Sequence, residues 1–131
     1  MREYDITDKT FVPEILMRST VEKFSQAWAR GDVDGLMTLM SDTPLYKTSG
    51  GSTFEGRAAV REGFLKICRP AEPTASQAPA PRLCFFDDKC LSYWSLKLSS
   101  ADGEARWVDG IDVISFDPDG RIRIKDAYRK L

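Results

Sequence analysis

Two turn signals near the C-terminus constrain this chain more than any other feature. They are Asp102-Gly103 and Asp117-Pro118-Asp119-Gly120. Asp-Gly suits a type I′ hairpin, whose central residues both need positive φ. Pro presets φ at the first central position of a turn, and Asp and Gly complete the signal. Around these turns lie runs rich in β-branched and aromatic residues: Leu83–Phe86, Cys90–Ser99, Glu104–Phe116 and Arg121–Arg129. Connections this tight join antiparallel neighbours, so everything after Leu83 reads as an antiparallel meander.

The residues before the meander read as helices. Met17, Val21, Phe24 and Trp28 recur at helical spacing after Pro13, which suits a helix's first turn. Gly31 ends this helix and Asp32 is an N-cap for a second, shorter one with Leu36, Met37, Leu39 and Met40 on its apolar face. Pro44 breaks it. A short strand, Leu45–Thr48, and a turn, Ser49–Ser52, follow, and Gly56 leads a third helix with the stripe Val60, Phe64 and Ile67. Residues 1–12 read as an arm. Residues 69–82 (RPAEPTASQAPAPR) form a Pro- and Ala-rich loop, either a pocket lid or a spacer. The fold class is α+β, in a single domain spanning 1–131.

Composition removes several kinds of chemistry. Across 131 residues the net charge is −1, with no basic excess to neutralise nucleic-acid phosphates. No apolar run approaches the roughly 20 residues of a membrane span, and the N-terminus lacks a signal-peptide core. Histidine is absent, so the commonest general base and metal ligand are missing. No cysteine pair has zinc spacing and no Gly-rich phosphate loop is present, so neither a metal nor another cofactor is expected. Cys68, Cys84 and Cys90, an odd number in apolar surroundings, fit reduced, mostly buried thiols of a cytoplasmic protein.

Three segments carry a family resemblance: the Gly31-Asp32 helix junction, Phe54-Glu55-Gly56-Arg57-Ala58-Ala59-Val60-Arg61, and the stretch from Gly110 to Ile122. In this order they resemble the nuclear-transport-factor-2-like superfamily of ketosteroid isomerases and SnoaL-type cyclases. The last stretch is similar to the closing hairpin of bacterial ketosteroid isomerases. The resemblance implies a cone-shaped α+β barrel, with three N-terminal helices packed in the concave face of a curved, mainly antiparallel sheet. It also implies a ligand pocket between helices and sheet, and a homodimer through the outer sheet face. Strand parity supports such a face: with Tyr93, Ser95 and Lys97 inward, Trp94, Leu96 and Leu98 point outward, alongside Trp107, Ile111 and Val113; with the faces reversed, these residues form the core instead.

The resemblance also indicates a site. Ketosteroid isomerases use a Tyr on the first helix, an Asp base after the second, and a strand Asp whose protonated carboxyl donates to the oxyanion. The matching positions here are Phe24, Lys47 or Thr48, and Asp112. Only the strand aspartate survives, so ketosteroid isomerase chemistry is not expected. Asp112, between Ile111 and Val113, is either a general acid/base or the structural ion-pair partner of Lys125 or Arg129. Lys125 either assists an anionic oxygen, neutralises Asp112, or belongs to a solvent-facing Arg121-Arg123-Lys125 alternation. Tyr93, Tyr46, Lys47, Phe24, Trp28, Phe64, Val108 and Arg129 complete the implied pocket. Tyr93 and Tyr46 can equally be amphipathic edge residues, and Trp28 plain core. Asp109 and Asp126 read as exposed partners of arginines. An Asp-Arg-Asp epoxide-hydrolase relay is incomplete, and the histidines of scytalone-dehydratase-like enzymes are missing.

These readings lead to two functions. One is a cofactor-independent isomerase, cyclase or dehydratase acting on a carbonyl-bearing, apolar small molecule. The other is a non-catalytic ligand-binding or dimerisation domain. An enclosed cavity of about 300 Å³ or more beside Asp112 favours the first. Filling of that space by Phe24, Trp28 and Phe64 favours an interaction role.

Overall fold

A computed structural model describes residues 11–68, 80–99 and 103–130. Residues 1–10 of the expected arm, 69–79 of the Pro/Ala-rich loop and Asp102 of the hairpin turn lie outside the described residues. Helix α1 (Glu14–Arg30) follows Pro13, which occupies the N-cap position, and buries Met17, Val21 and Phe24. Gly31 closes it with φ 68°, a left-handed conformation that side chains disfavour. The Asp32 carboxylate then accepts the Gly35 N–H at 2.9 Å and caps helix α2 (Val33–Thr38).

Strand β1 (Met40–Lys47) begins earlier than the sequence suggests, taking in Met40, which reads as helical by periodicity. Its pairing with β6 (Ile122–Arg129) accounts for this. The Ile122 N–H donates to the Leu39 carbonyl at 2.8 Å, and Met40 pairs in parallel with Ile122. A three-residue strand, β2 (Thr53–Glu55), pairs with β1 and has too little sequence to announce itself. Helix α3 (Arg57–Ile67) buries Val60 and Phe64, while Ile67, expected in the same stripe, is exposed. The meander forms as expected from β3 (Arg82–Phe86), β4 (Lys89–Ser99), β5 (Ala105–Phe116) and β6, antiparallel throughout.

The expected cone-shaped barrel is not what these elements build. The strands form a six-stranded mixed sheet in the order β2-β1-β6-β5-β4-β3, neither closed nor strongly curled. Closure requires the first and last strands to pair. Here those edges are β2 and β3, of three and five residues, at opposite ends of the order. The helices pack on one face, where Phe24 and Phe64 join Tyr46, Cys90, Ile114 and Phe116 in a single core.

The β4–β5 register corrects the expected strand faces. Ser92 pairs with Asp112, and Trp94 with Gly110, so Trp94 and Leu96 share the helix-facing side with Val108 and Asp112. Tyr93, Ser95 and Lys97 point the other way, beside Ile111, Asp109 and Trp107 respectively. Trp94 and Leu96 therefore leave the proposed dimer face, whereas Trp107, Ile111 and Val113 remain on it. The inversion has a plain cause. The run Tyr93-Trp94-Ser95-Leu96 places a large apolar group on both faces, so alternation alone does not choose between them.

Candidate functional site

The candidate site is built where β5 and β6 run side by side under the helices. Lys125 Nζ lies 3.3 Å from Asp112 Oδ2, and the two side chains are 8% and 13% exposed. The Trp94 indole N–H donates to Asp112 Oδ1 at 3.1 Å. The ammonium also faces three aromatic rings, with centroids at 5.8 Å (Phe24), 5.1 Å (Trp28) and 5.0 Å (Tyr46). These rings contribute cation–π attraction that a desolvated ammonium needs.

The same neighbours decide protonation. Burial pulls the Lys125 pKa down, but the Asp112 carboxylate, Tyr46 and the hydrogen bond to Asp112 outweigh it, leaving it above its ordinary value. Burial pushes the Tyr46 phenol up, opposed by Lys125 and reinforced by Asp112. Tyr46 is therefore a neutral hydroxyl near pH 7, able to donate. Among the described residues no hydrogen bond engages that hydroxyl. The pair is a charged couple in an aromatic box with a free phenol beside it.

The fold brings Asp112, Lys125, Tyr46, Phe24, Trp28 and Phe64 together. Phe64 sits 5.9 Å from Phe24, 5.9 Å from Trp28 and 5.0 Å from Tyr46, centroid to centroid, so these rings occupy the space behind the pair. Val108 is buried on the same sheet face, and Arg129 is exposed at the end of β6. Two grooves, of about 480 and 350 Å³, lie at that end of the sheet, and neither is lined by Asp112. Tyr93 is not with the group: it is 44% exposed on the opposite face. Lys47 also points away from Asp112, because it alternates with Tyr46 and pairs with Asp126.

Several expectations change. Lys125 does not belong to a solvent-facing row. Arg121 instead pairs with Asp42 and Asp119, and Arg123 with Asp88 and Asp117. Asp126 is no exposed partner of an arginine; it is buried and accepts the Tyr128 hydroxyl at 2.8 Å. Asp109 accepts the Ser95 hydroxyl at 2.7 Å. Cys68 and Cys90 are buried, but Cys84 is exposed.

Sequence reasoning missed Trp94 as the Asp112 partner. It also missed Arg57, whose guanidinium holds the Met37, Met40 and Ser41 carbonyls at 2.9–3.1 Å and ties α2 to β1. Both depend on contacts distant in sequence. The one available signal was Gly110, the single residue small enough to lie under an indole: a Cβ there would run into Trp94. Among the described residues, no group of three or more Cys, Asp or Glu side chains could hold a metal ion, and no helix is long and apolar enough to cross a membrane.

Comparison with known proteins agrees with this architecture. The profile of the SnoaL-like domain matches residues 21–124. No curated protein matches at a significant level. Among solved structures, an NTF2-like protein of unknown function from Burkholderia pseudomallei is 17% identical, with TM-score 0.69 over 88% of this chain and 91% of that one. A candidate polyketide cyclase from Xanthomonas campestris is 15% identical, with TM-score 0.71 over 88% and 91%. The epoxide hydrolase/cyclase-like enzyme SalBIII, of pyran ring formation in the polyether salinomycin, is 19% identical, with TM-score 0.71 over 90% and 93%.

Proposed function

This chain belongs to the SnoaL-like domain family, and from that premise we propose that it is a small-molecule enzyme performing cofactor-independent proton transfer on a carbonyl-bearing substrate. The observation that supports this most is the Asp112 carboxylate held by Trp94 and Lys125 beside the neutral Tyr46 phenol. Asp112 takes a proton from the carbon next to a carbonyl, and the electron pair moves onto the carbonyl oxygen. Tyr46 donates a hydrogen bond to that oxygen, and the Lys125 ammonium stabilises the enolate charge. Return of the proton to a different atom completes an isomerisation; in a cyclisation the enolate carbon attacks a second carbonyl of the same substrate, whose C–O π bond breaks and whose oxygen takes the proton back from Asp112. Low dielectric around the pair strengthens each of these interactions.

The test is hydrogen–deuterium exchange at α-carbons of a panel of cyclic ketones and β-ketoesters, followed by NMR. Exchange catalysed by the wild type should fall roughly 10²–10⁴-fold in Asp112→Asn. It should fall less, with the fold intact, in Tyr46→Phe. Equal rates for wild type and both variants across the panel would remove the reading.

A second reading is a non-catalytic dimerisation domain, and two observations favour it. The aromatic rings fill the space behind Asp112. On the opposite face Tyr93, Ile111 and Tyr128 stand in one cross-strand row, each at least 40% exposed, with Trp107 further along. A row of this kind suits the same surface of a second copy.

A further inference from the structure

Strand β5 runs further than its neighbour β6. The last β5–β6 partners are Gly110 and Arg129, and the Lys130 N–H donates to the Asp109 carbonyl at 2.9 Å. Beyond that point Arg106, Trp107 and Val108 pair only with β4 among the described residues. Successive residues of an antiparallel strand direct their N–H and C=O groups to opposite sides. The Asp109 carbonyl points toward β6, so the Trp107 N–H points the same way, into the notch where β6 has ended.

That notch is a groove of about 480 Å³ lined by Arg106, Trp107, Val108, Asp109, Arg129 and Lys130. A groove of about 350 Å³ shares Asp109, Arg129 and Lys130 and adds Tyr93, Ile111 and Tyr128. Arg106, Arg129 and Lys130 are exposed, and none of the ion pairs among the described residues includes them. The Asp109 carboxylate, which accepts the Ser95 hydroxyl, also lines both grooves, and the three cations outnumber it. Trp107 is 51% exposed and borders the same groove from the sheet face opposite Arg106 and Arg129.

We propose that this notch binds a planar organic carboxylate. The two guanidinium groups and the Trp107 N–H, which has no β6 partner among the described residues, hold the carboxylate, since arginine presents a fork that matches its geometry. The apolar body lies against the half-exposed Trp107 ring. A volume of this size suits a small molecule. Nucleic acid is disfavoured, because three cations on a chain of net charge −1 provide no extended track for phosphates. The proposal does not depend on whether Asp112 moves a proton.

The experiment is isothermal titration calorimetry with 2-naphthoate and its neutral isostere 2-naphthamide, on wild type and the double variant Arg106→Gln/Arg129→Gln. The acid should bind roughly tenfold or more tightly than the amide, since a charged hydrogen bond is about twice as strong as a neutral one. The double variant should lose that preference and keep its far-UV circular dichroism, both side chains being exposed. Raising salt should weaken the acid alone. Equal binding of acid and amide, retained preference in the double variant, or tighter binding of an oligo(dT) strand than of 2-naphthoate would overturn the proposal. None of these readouts involves Asp112, so failure here leaves the acid–base reading standing, and the reverse also holds.

Discussion

Replacing Asp112 with Asn keeps the shape of the side chain and removes its charge, leaving the Lys125 ammonium buried without a counter-ion. Breaking one partner of a buried pair costs about 3–5 kcal/mol. Two features of the structure hold the loss toward the lower end. Three rings stay within 5.8 Å of the ammonium, and the amide oxygen can still accept from Trp94. The expected loss is about 3 kcal/mol, which shifts a urea midpoint by roughly 1–3 M for slopes of 1–3 kcal/mol/M. Asp112→Asn/Lys125→Met removes the stranded charge and places a flexible thioether among the rings, so it should return to within about 1 kcal/mol of wild type.

The pH dependence carries its own sign. In the wild type Lys125 has its pKa raised on folding. Its contribution is therefore fully present below the ordinary lysine range and is lost as pH rises through the folded value. In Asp112→Asn burial acts without the carboxylate, the folded value drops below the ordinary one, and the unfolded chain binds the extra proton. The variant should then gain stability as pH climbs toward the lysine range, narrowing its gap to wild type. Urea unfolding at several pH values measures both effects. A single-variant cost under about 1 kcal/mol, or a double variant as unstable as the single, would refute the claim that the pair is tightly coupled.

Gly110→Ala would drive a methyl group into the Trp94 ring and the Tyr128 carbonyl; a loss of about 1–3 kcal/mol is expected from overpacking, read by calorimetry, and an unchanged Tm would place the indole elsewhere. Thiol titration of the native protein should show one fast group, Cys84, which is exposed, and slow reaction at Cys90, which is buried and has its pKa pushed up to about 12 by burial; fast reaction of two or more thiols would contradict this core. Ile111→Glu, at the middle of the exposed row, should convert a dimer to monomer in sedimentation velocity while leaving circular dichroism unchanged; identical sedimentation of the two would remove the second reading.

Local chemistry was enough to specify much of this protein. Asp-Gly and Asp-Pro-Asp-Gly are short-range signals, so the meander could be read from them. The stripe of α1, the Gly31 stop and the Asp32 cap follow from spacing and backbone preference within a few residues, and Asp112 stood out as a lone acid on a strand suited to burial. Tertiary structure decided what depends on partners distant in the chain. Met40 belongs to a strand because β6 pairs with it. β2 exists only as an edge of β1, and the sheet stays open because its short edge strands lie at opposite ends of the order. The face of β4 was undecidable locally, since Tyr93 and Trp94 are equally fit to be buried; pairing of Trp94 with Gly110, which alone leaves room for the indole, settles it. That choice brings Trp94 onto Asp112 and sends Tyr93 outside. A sequence states which residues can tolerate burial, but packing across strands determines which of them are buried together.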